Sequence, residues 1–253
     1  IFFTLRVNYN KINQMKLIGT YIIAAVMLAA GTALKAQSVD EIMAKHEQAI
    51  GGLENWNKIK TLKMTGDMDI QGAKIAITQT LDVGHAARTD MSVMGMSGFT
   101  IITSKAGWMY MPMQGGTKVD TMTPDMVQAG QRQLDIMGTQ LLDYKTSGGK
   151  AEYQGKDTLD NIPCYKIKFT DKDGNESESF FEIATSYLLR TESKVKQDEE
   201  ESEVAVVYSD YKKLDEGVVM PMSMTAAGAE INFKSVEINK PLDPNVFVPA
   251  ISK

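Results

Sequence analysis

The chain has 253 residues, of which 43% are hydrophobic and 23% are charged, and its formal net charge is −5. These globular values exclude a disordered tail, and the acidic balance argues against nucleic-acid binding, because phosphate contacts need concentrated Lys and Arg. The single cysteine, Cys164, excludes an intramolecular disulfide and a thiolate metal cluster. Two histidines, His46 and His85, leave little material for a histidine-based metal or acid–base site.

The first 36 residues predict export. Met15-Lys16 precedes an uncharged apolar run over residues 17–34, and a small residue, Ala36, follows the run. This pattern is typical of a secretory signal peptide, so we expect residues 1–36 to be an upstream extension plus a signal peptide cleaved after Ala36. No cysteine follows the run, which predicts no lipid anchor and a periplasmic domain over residues 38–253, without stable membrane insertion. The alternative is an uncleaved membrane anchor.

A helix is predicted at the start of the mature chain. Ser38 and Glu41 have the spacing of a capping box, and Gly51-Gly52 supplies the stop. Between them, residues recur at the spacing of one helix face: Ile42, Met43, His46, Ala49 and Ile50. A second, short helical turn is predicted over residues 53–59.

From residue 60 onward, apolar and polar residues alternate, which predicts strands separated by tight turns. The predicted fold class is mainly β with α: a single curved antiparallel sheet, or half-open β-barrel, with an N-terminal helix and a lid helix. The strand-like runs are Leu62–Ile70, Ile75–Leu81, Arg88–Met94, Phe99–Thr103, Gly107–Met113, Lys150–Gly155, Cys164–Thr170, Ser177–Ile183, Tyr187–Val195, Glu203–Tyr211, Val218–Thr225 and Ala229–Ile238.

The lid helix is predicted after Thr123-Pro124, where a capping residue precedes a proline at the first helical position. Gly130 lies inside the pattern and costs about 1 kcal/mol relative to Ala. A marginal amphipathic helix between strands suits a lid over the sheet, and an ordinary connecting helix fits the pattern equally well. Its apolar stripe consists of Met126, Val127, Leu134 and Met137.

No motif for catalysis stands out. His46 has the spacing of a core residue, His85 follows a turn glycine, and the sequence contains no G-x-S-x-G, P-loop or H-E-x-x-H pattern. Asp171-x-Asp173-x-Asn175 matches part of a calcium loop, but Glu176 occupies the position that needs glycine. The sequence therefore predicts a non-enzymatic protein without a metal or a cofactor.

The methionines are the most informative residues. Met109, Met111 and Met113 alternate, as do Met220, Met222 and Met224, and shorter pairs occur at Met64/Met68 and Met94/Met96. Alternation on a strand places every member of a set on one face of the sheet. Three interpretations are open: a cavity for an irregular apolar ligand, ordinary core packing, or a Cu(I) site with thioether ligands from residues 91–96 or 109–113.

Three stretches together resemble the LolA-type periplasmic lipoprotein carriers and the related outer-membrane lipoprotein-sorting proteins. They are residues 100–112, which contain Trp108 and Pro112, residues 208–221, and residues 241–249. The resemblance implies a half-open barrel whose concave apolar face holds the acyl chains of a lipid or lipoprotein. The turn before Trp108 departs from the family pattern, and no proline follows Arg88, so no lid-locking arginine is transferred to this chain.

The predicted function is that of a LolA-like carrier or chaperone that transports acyl chains of lipids or lipoproteins in outer-membrane lipoprotein sorting, with a transfer partner in the outer or inner membrane. The alternatives are a methionine-rich periplasmic Cu(I)-binding protein and a half-barrel, protein-binding regulator of envelope stress. The predicted ligand-binding residues are Met64, Met68, Met94, Met96, Trp108, Met109, Tyr110, Met111, Met113, Met126, Leu134, Met220, Met222 and Met224.

Overall fold

The computed structural model describes residues 38–134, 141–142, 144–197 and 200–250, and within these it leaves out the side chains of residues 132, 195–197 and 200–202. The predicted extension and signal peptide, and Met137 of the lid stripe, lie outside the described residues. None of the described helices is long and apolar enough to cross a membrane.

Three α-helices and thirteen strands alternate along the described chain. The helices are α1 (Val39–Ala49), α2 (Leu53–Trp56) and α3 (Pro124–Gly130), with 3₁₀ turns at Pro112–Gln114 and Gln131–Leu134. The strands are β1 (Thr61–Ile70), β2 (Ala73–Asp82), β3 (Ala86–Val93), β4 (Met96–Thr103), β5 (Gly107–Tyr110), β6 (Asp120–Thr121), β7 (Lys150–Leu159), β8 (Ile162–Thr170), β9 (Glu176–Glu182), β10 (Leu188–Gln197), β11 (Glu200–Lys213), β12 (Val219–Ala226) and β13 (Ala229–Ile238).

All thirteen strands belong to one curved, open antiparallel sheet, which confirms the predicted fold class. Strands β1–β6 and β7–β13 form two meanders, and pairing of β1 with β13 joins them in the middle of the sheet. The two edge strands are therefore β6 and β7, which are consecutive in the chain. The connection between them has to pass from one edge of the sheet to the other.

Helix α1 is fixed to the second meander. Its buried residues Ile42 and Met43 pack in an apolar cluster with side chains of β8, β9 and β10, including Ile167 and Phe181. At the end of the helix, the Ile50 carbonyl accepts hydrogen bonds from the indole Nε1 of Trp56 and the backbone N–H of Val219, both at 2.8 Å. The helix is thus attached to the sheet at both ends of its buried face.

The prediction of a strand over Gly107–Met113 is wrong at its end. Strand β5 stops at Tyr110, and Pro112 begins a 3₁₀ turn. Proline has no N–H to donate to a neighbouring strand and its fixed φ suits the first position of a helical turn. Consequently Met111 and Met113 lie beyond the strand, although their spacing continues its alternation.

Helix α3 lies so close to the sheet that Gly130 has no room for a side chain. A Cβ at this position would be 2.2 Å from Cδ1 of Ile102, which is itself buried on β4. The glycine that weakens the helix therefore permits its contact with the sheet. This packing corrects the expectation that Gly130 is simply an unfavourable helix residue.

The substitution Gly130→Ala should lower the free energy of unfolding by about 1 kcal/mol, because overpacking costs about 1–3 kcal/mol and better helix propensity returns only about 1 kcal/mol. In an Ile102→Val background, which removes Cδ1, the same change should be neutral or stabilising. Urea unfolding of the four proteins in this cycle measures the coupling. Equal effects of Gly130→Ala in both backgrounds would contradict the contact.

Candidate functional site

One face of the sheet is covered by the helices and the crossing segment, and we call it the inner face. Direct cross-strand partners define a row of buried positions on this face, which runs through Leu62, Leu81, Ala87 and Ile102 on β1–β4. The next row includes Met64 and, on β5, Met109. Alternating residues of the same strands point to the opposite, outer face.

Thioethers concentrate in one apolar cluster on the inner face. Met64, Met122, Met220 and Met222 are each exposed by 9% or less, and half-buried Met109 and Met224 pack against them. These methionines come from both meanders and from the segment that follows β6, so the cluster spans the middle of the sheet. We call it the inner cluster. Its other buried members are Ile50, Trp56, Ile59, Leu62, Leu81, Ala87, Ile102, Leu134, Val218, Phe233 and Ile238.

The segment after β6 covers part of the inner cluster. The Thr123 hydroxyl caps α3 by accepting from the N–H of Met126 at 3.4 Å. Val127 is half-buried, Leu134 is buried, and the side chain of Met126 is 42% exposed. Two polar contacts fasten the segment further: the Gly84 N–H donates to the Leu134 carbonyl at 2.8 Å, and Gln131 Nε2 donates to the Thr103 carbonyl at 3.0 Å.

Two cavities of the described structure lie on opposite faces of the sheet. One, of about 20 Å³, is lined by His46, Ile50, Trp56 and Tyr211 among others, and has room for about one water molecule. The other, of about 140 Å³, lies between the outer face and the segment after β13. No methionine lines either of these two cavities. The buried methionines of the inner cluster pack against neighbouring side chains, so a ligand among them would take the place of those side chains.

His46 is one of the polar side chains that line the smaller cavity. Its Nδ1 donates to the Ser186 carbonyl at 2.8 Å and its ring meets the Phe181 ring edge-on, with 4.9 Å between centroids. Within the described structure, its buried Nε2 has no hydrogen-bond partner. Burial lowers the pKa of His46 from 6.5 to about 4, partly offset by the bond to Ser186. The side chain is therefore neutral at physiological pH and holds α1 against β9.

Among solved structures, three similar folds cover nearly the whole described chain. A DUF1329 family protein from Desulfovibrio piger has 13% identity and a TM-score of 0.54, over 81% of this chain and 96% of its own. A domain assigned to outer membrane lipoprotein sorting, from Vibrio parahaemolyticus, has 13% identity and a TM-score of 0.52, over 82% and 95%. A LolA superfamily protein from Nitrosomonas europaea has 8% identity and a TM-score of 0.53, over 83% and 97%.

This chain has the LolA-like fold. The resemblance inferred from residues 100–112, 208–221 and 241–249 is thus confirmed at the level of the fold. No family model and no curated protein matches the sequence. At identities of 8–13%, the shared fold leaves the ligand of this chain to be inferred from its own residues.

The LolA-like fold brings together six of the predicted site residues in the inner cluster: Met64, Met109, Leu134, Met220, Met222 and Met224. Met68 lies on the same face of β1 as Met64, directly opposite Ile231 and Ile75. Met126 is on α3 with a largely exposed side chain. Whether these residues hold a ligand remains a prediction.

Trp108 and Tyr110 lie on the other face of β5 from Met109. Trp108 is the direct partner of Ile101, and Tyr110 is the partner of Phe99, with 6.0 Å between the two ring centroids. Ile101 and Phe99 are almost fully buried on the outer face. The sequence predicts that these aromatic residues line one cavity together with the methionines. The sheet instead places Trp108 and Tyr110 on the face opposite Met109.

The segment after β13 lies along part of the outer face, at β1–β3, and Arg88 fastens this segment. The Arg88 guanidinium donates to the Val246 carbonyl at 2.9 Å, forms a bidentate pair with Asp90, and stacks over the Phe99 ring at 4.6 Å from its centroid. Arg88 thus has a structural role on the outer face. The sequence likewise predicts no lid-locking arginine at this position.

Sequence reasoning missed Met122 and Phe233 as members of the inner cluster. Phe233 follows the alternation of β13 and could have been found from its pattern. Met122 lies between the two-residue strand β6 and the cap of α3, where too few residues repeat for any period to be recognised. No group of three or more His, Cys, Asp and Glu residues in the described ranges could hold a metal ion.

Proposed function

We propose that this protein is an exported, periplasmic, non-enzymatic carrier that binds the acyl chains of lipids or lipoproteins on the inner face of its sheet. The observation that carries the proposal is the inner cluster, in which thioethers from both meanders lie under the segment that follows β6. The predicted signal peptide supports export. The fold shared with a domain assigned to lipoprotein sorting supports the class of ligand.

Entry of an acyl chain would require part of the cover to move. The segment from Met122 to Leu134 buries Met122 and Leu134 and, in part, Val127, so separating it from the sheet costs roughly 4–7 kcal/mol at about 1.5–3 kcal/mol for a fully buried side chain. A dozen methylenes buried in its place contribute roughly 10 kcal/mol before association costs. The exchange is favourable, and the remaining affinity is low enough for release.

The side chains of the inner cluster suit such an exchange. Methionine has three rotatable bonds and a polarizable sulfur, so it can repack around ligands of different shape. Met109 and Met224 lie at the half-buried rim of the cluster, where an entering chain would first meet the protein. Delivery to a partner in the inner or outer membrane remains a prediction that follows from the sorting role.

Substitution at Met109 tests the site. Met109→Glu should weaken uptake of a fluorescent fatty acid by more than about tenfold, because an ionised carboxylate in an apolar site costs more than the roughly 1.4 kcal/mol that a tenfold change represents. Met109→Leu, which nearly conserves volume, should bind within about threefold of wild type. Fluorescence titration measures both, and circular dichroism verifies the fold.

Thr121→Glu is the matched control, because Thr121 is exposed and pairs with Trp108 on the outer face of the same edge. It adds the same charge without touching the inner cluster and should leave uptake unchanged. If the folded Met109→Glu protein takes up the probe as well as wild type, the inner face is not the binding site. Mass spectrometry of an organic extract of the purified protein then identifies the class of bound lipid.

A further inference from the structure

The two methionine-rich stretches that are separate in sequence, residues 91–96 and 109–113, meet at one end of the sheet. Met91 on β3 is the direct partner of Gly98 on β4. After β5 the chain turns back over Gly98, so that a Cβ at this glycine would lie 2.5 Å from the Tyr110 carbonyl oxygen, 3.2 Å from Pro112 Cδ and 3.4 Å from Met113 Cε. Cross-strand partners point to the same face, so the side chains of Met91 and Met113 adjoin the same spot above Gly98.

A third methionine belongs to this group. Met96 is the partner of Val93, which places it diagonally to Met91 on the same face, at the distance of about 7–8 Å that long side chains bridge. Met94 adjoins it in the turn between β3 and β4. We call Met91, Met96 and Met113 the Gly98 methionines. Because Gly98 has no side chain, the turn after β5 can pack directly on β4, which brings Met113 beside Met91.

The exposure of these methionines distinguishes them from a core. Met96 is 43% exposed and Met94 is 93% exposed, whereas the buried methionines of the inner cluster are exposed by 9% or less. Met91 and Met113 are half-buried. Large apolar side chains in a contiguous exposed group often mark a binding site, and core packing does not explain three thioethers around one glycine at the edge of the inner face.

Thioether sulfur is a soft, neutral ligand that selects Cu(I) and binds the hard ions Mg²⁺ and Ca²⁺ poorly. We propose that the Gly98 methionines bind one soft monovalent metal ion, of the class of Cu(I), independently of acyl-chain binding. Gly98 permits the close approach of the turn after β5, the β3–β4 hairpin provides Met91 and Met96, and that turn provides Met113. No ionisable ligand is needed, so binding should release no proton.

The test is a titration of the full chain with Ag(I), a redox-stable analogue of Cu(I), against a competing chelator. Wild type should bind one equivalent, and Met91→Leu/Met96→Leu/Met113→Leu should weaken binding by more than about 100-fold, since loss of an outer-shell partner alone costs about 10- to 100-fold. Met64→Leu/Met122→Leu/Met222→Leu is the matched control from the inner cluster, and it should retain the affinity of wild type.

Methyl NMR of wild type provides a readout that does not depend on how the variants fold. Binding of Ag(I) should shift the methyl resonances of Met91, Met96 and Met113 together, and saturate them at one equivalent. Absence of stoichiometric binding by wild type, shifts confined to other methionines, or equal affinity of the folded triple Leu variant would each overturn the proposal.

Discussion

Gly51→Ala is expected to lower the free energy of unfolding by more than about 3 kcal/mol. Gly51 has φ of +96°, and a Cβ there would lie 2.2 Å from the Gly217 carbonyl oxygen and 2.9 Å from Val218 Cα. Both of these are backbone atoms of the β11–β12 connection, which cannot rotate away as a side chain can. Strained backbone of this kind costs about 1–3 kcal/mol by itself, and the steric overlap adds to it.

Gly52→Ala is a matched control one residue away. Gly52 also has positive φ, at +82°, but a Cβ there would meet no atom within 4 Å. Its ψ of 141° lies outside the left-handed helical region, in backbone space that favours glycine. This variant should therefore lose only the cost of backbone strain, about 1–3 kcal/mol, without a steric overlap. Urea unfolding compares the two. Similar losses in both variants would show that the end of α1 does not rest on the β11–β12 connection as described.

The second large effect is a pH dependence of stability that comes from His46. Its pKa is about 4 in the folded protein, against 6.5 for the ordinary side chain. Above pH 6.5 the imidazole is neutral in both states and the full stability is present. As the pH falls from 6.5 towards 4, the unfolded chain takes up the proton first, so stability declines. The expected decline is about 3 kcal/mol, at 1.36 kcal/mol per pKa unit.

The two phenols beside this ring do not titrate in the same range. Tyr208 and Tyr211 line the cavity beside it, and burial raises the pKa of both phenols further above neutrality. His46→Gln should therefore remove about 3 kcal/mol of pH dependence between pH 6.5 and 4. The control is His85→Gln, because His85 is the other histidine and its side chain is 78% exposed.

Chemical denaturation at several pH values measures both variants against wild type. The carboxylates contribute their own slope in all three proteins, so the difference between wild type and His46→Gln is the relevant quantity. An unchanged slope in His46→Gln would mean that His46 is protonated or solvated in the folded protein. If only His85→Gln changed the slope, the pH dependence would come from His85 and not from His46.

The strands could be predicted because alternation and tight turns are local signals, and the predicted Ala229–Ile238 run is identical to β13. The end of β5 could not be placed, since the alternation of Met109, Met111 and Met113 continues past Pro112 into a turn. Pairing of β1 with β13 joins residues that are far apart in the chain, and no local period reports such a contact.

The grouping of site residues failed where both faces of the sheet are buried. Alternation alone places Trp108 and Met109 on opposite faces of β5. Hydrophobicity cannot show which of these is the inner face, because the segment held by Arg88 and Val246 covers part of the outer face. Close packing is equally invisible in sequence. In the sequence, Gly130 is only a residue of low helix propensity. The position of Ile102 in the structure shows why a larger residue does not fit.

The most direct test of acyl-chain binding on the inner face is the affinity of the purified full chain for saturated fatty acids of ten to sixteen carbons, measured by displacement of a fluorescent acyl probe. A chain that enters an apolar face gains about 0.8 kcal/mol per methylene, so affinity should rise by up to about fourfold with each added carbon. Affinity that is independent of chain length, or no displacement at all, would contradict a carrier of acyl chains.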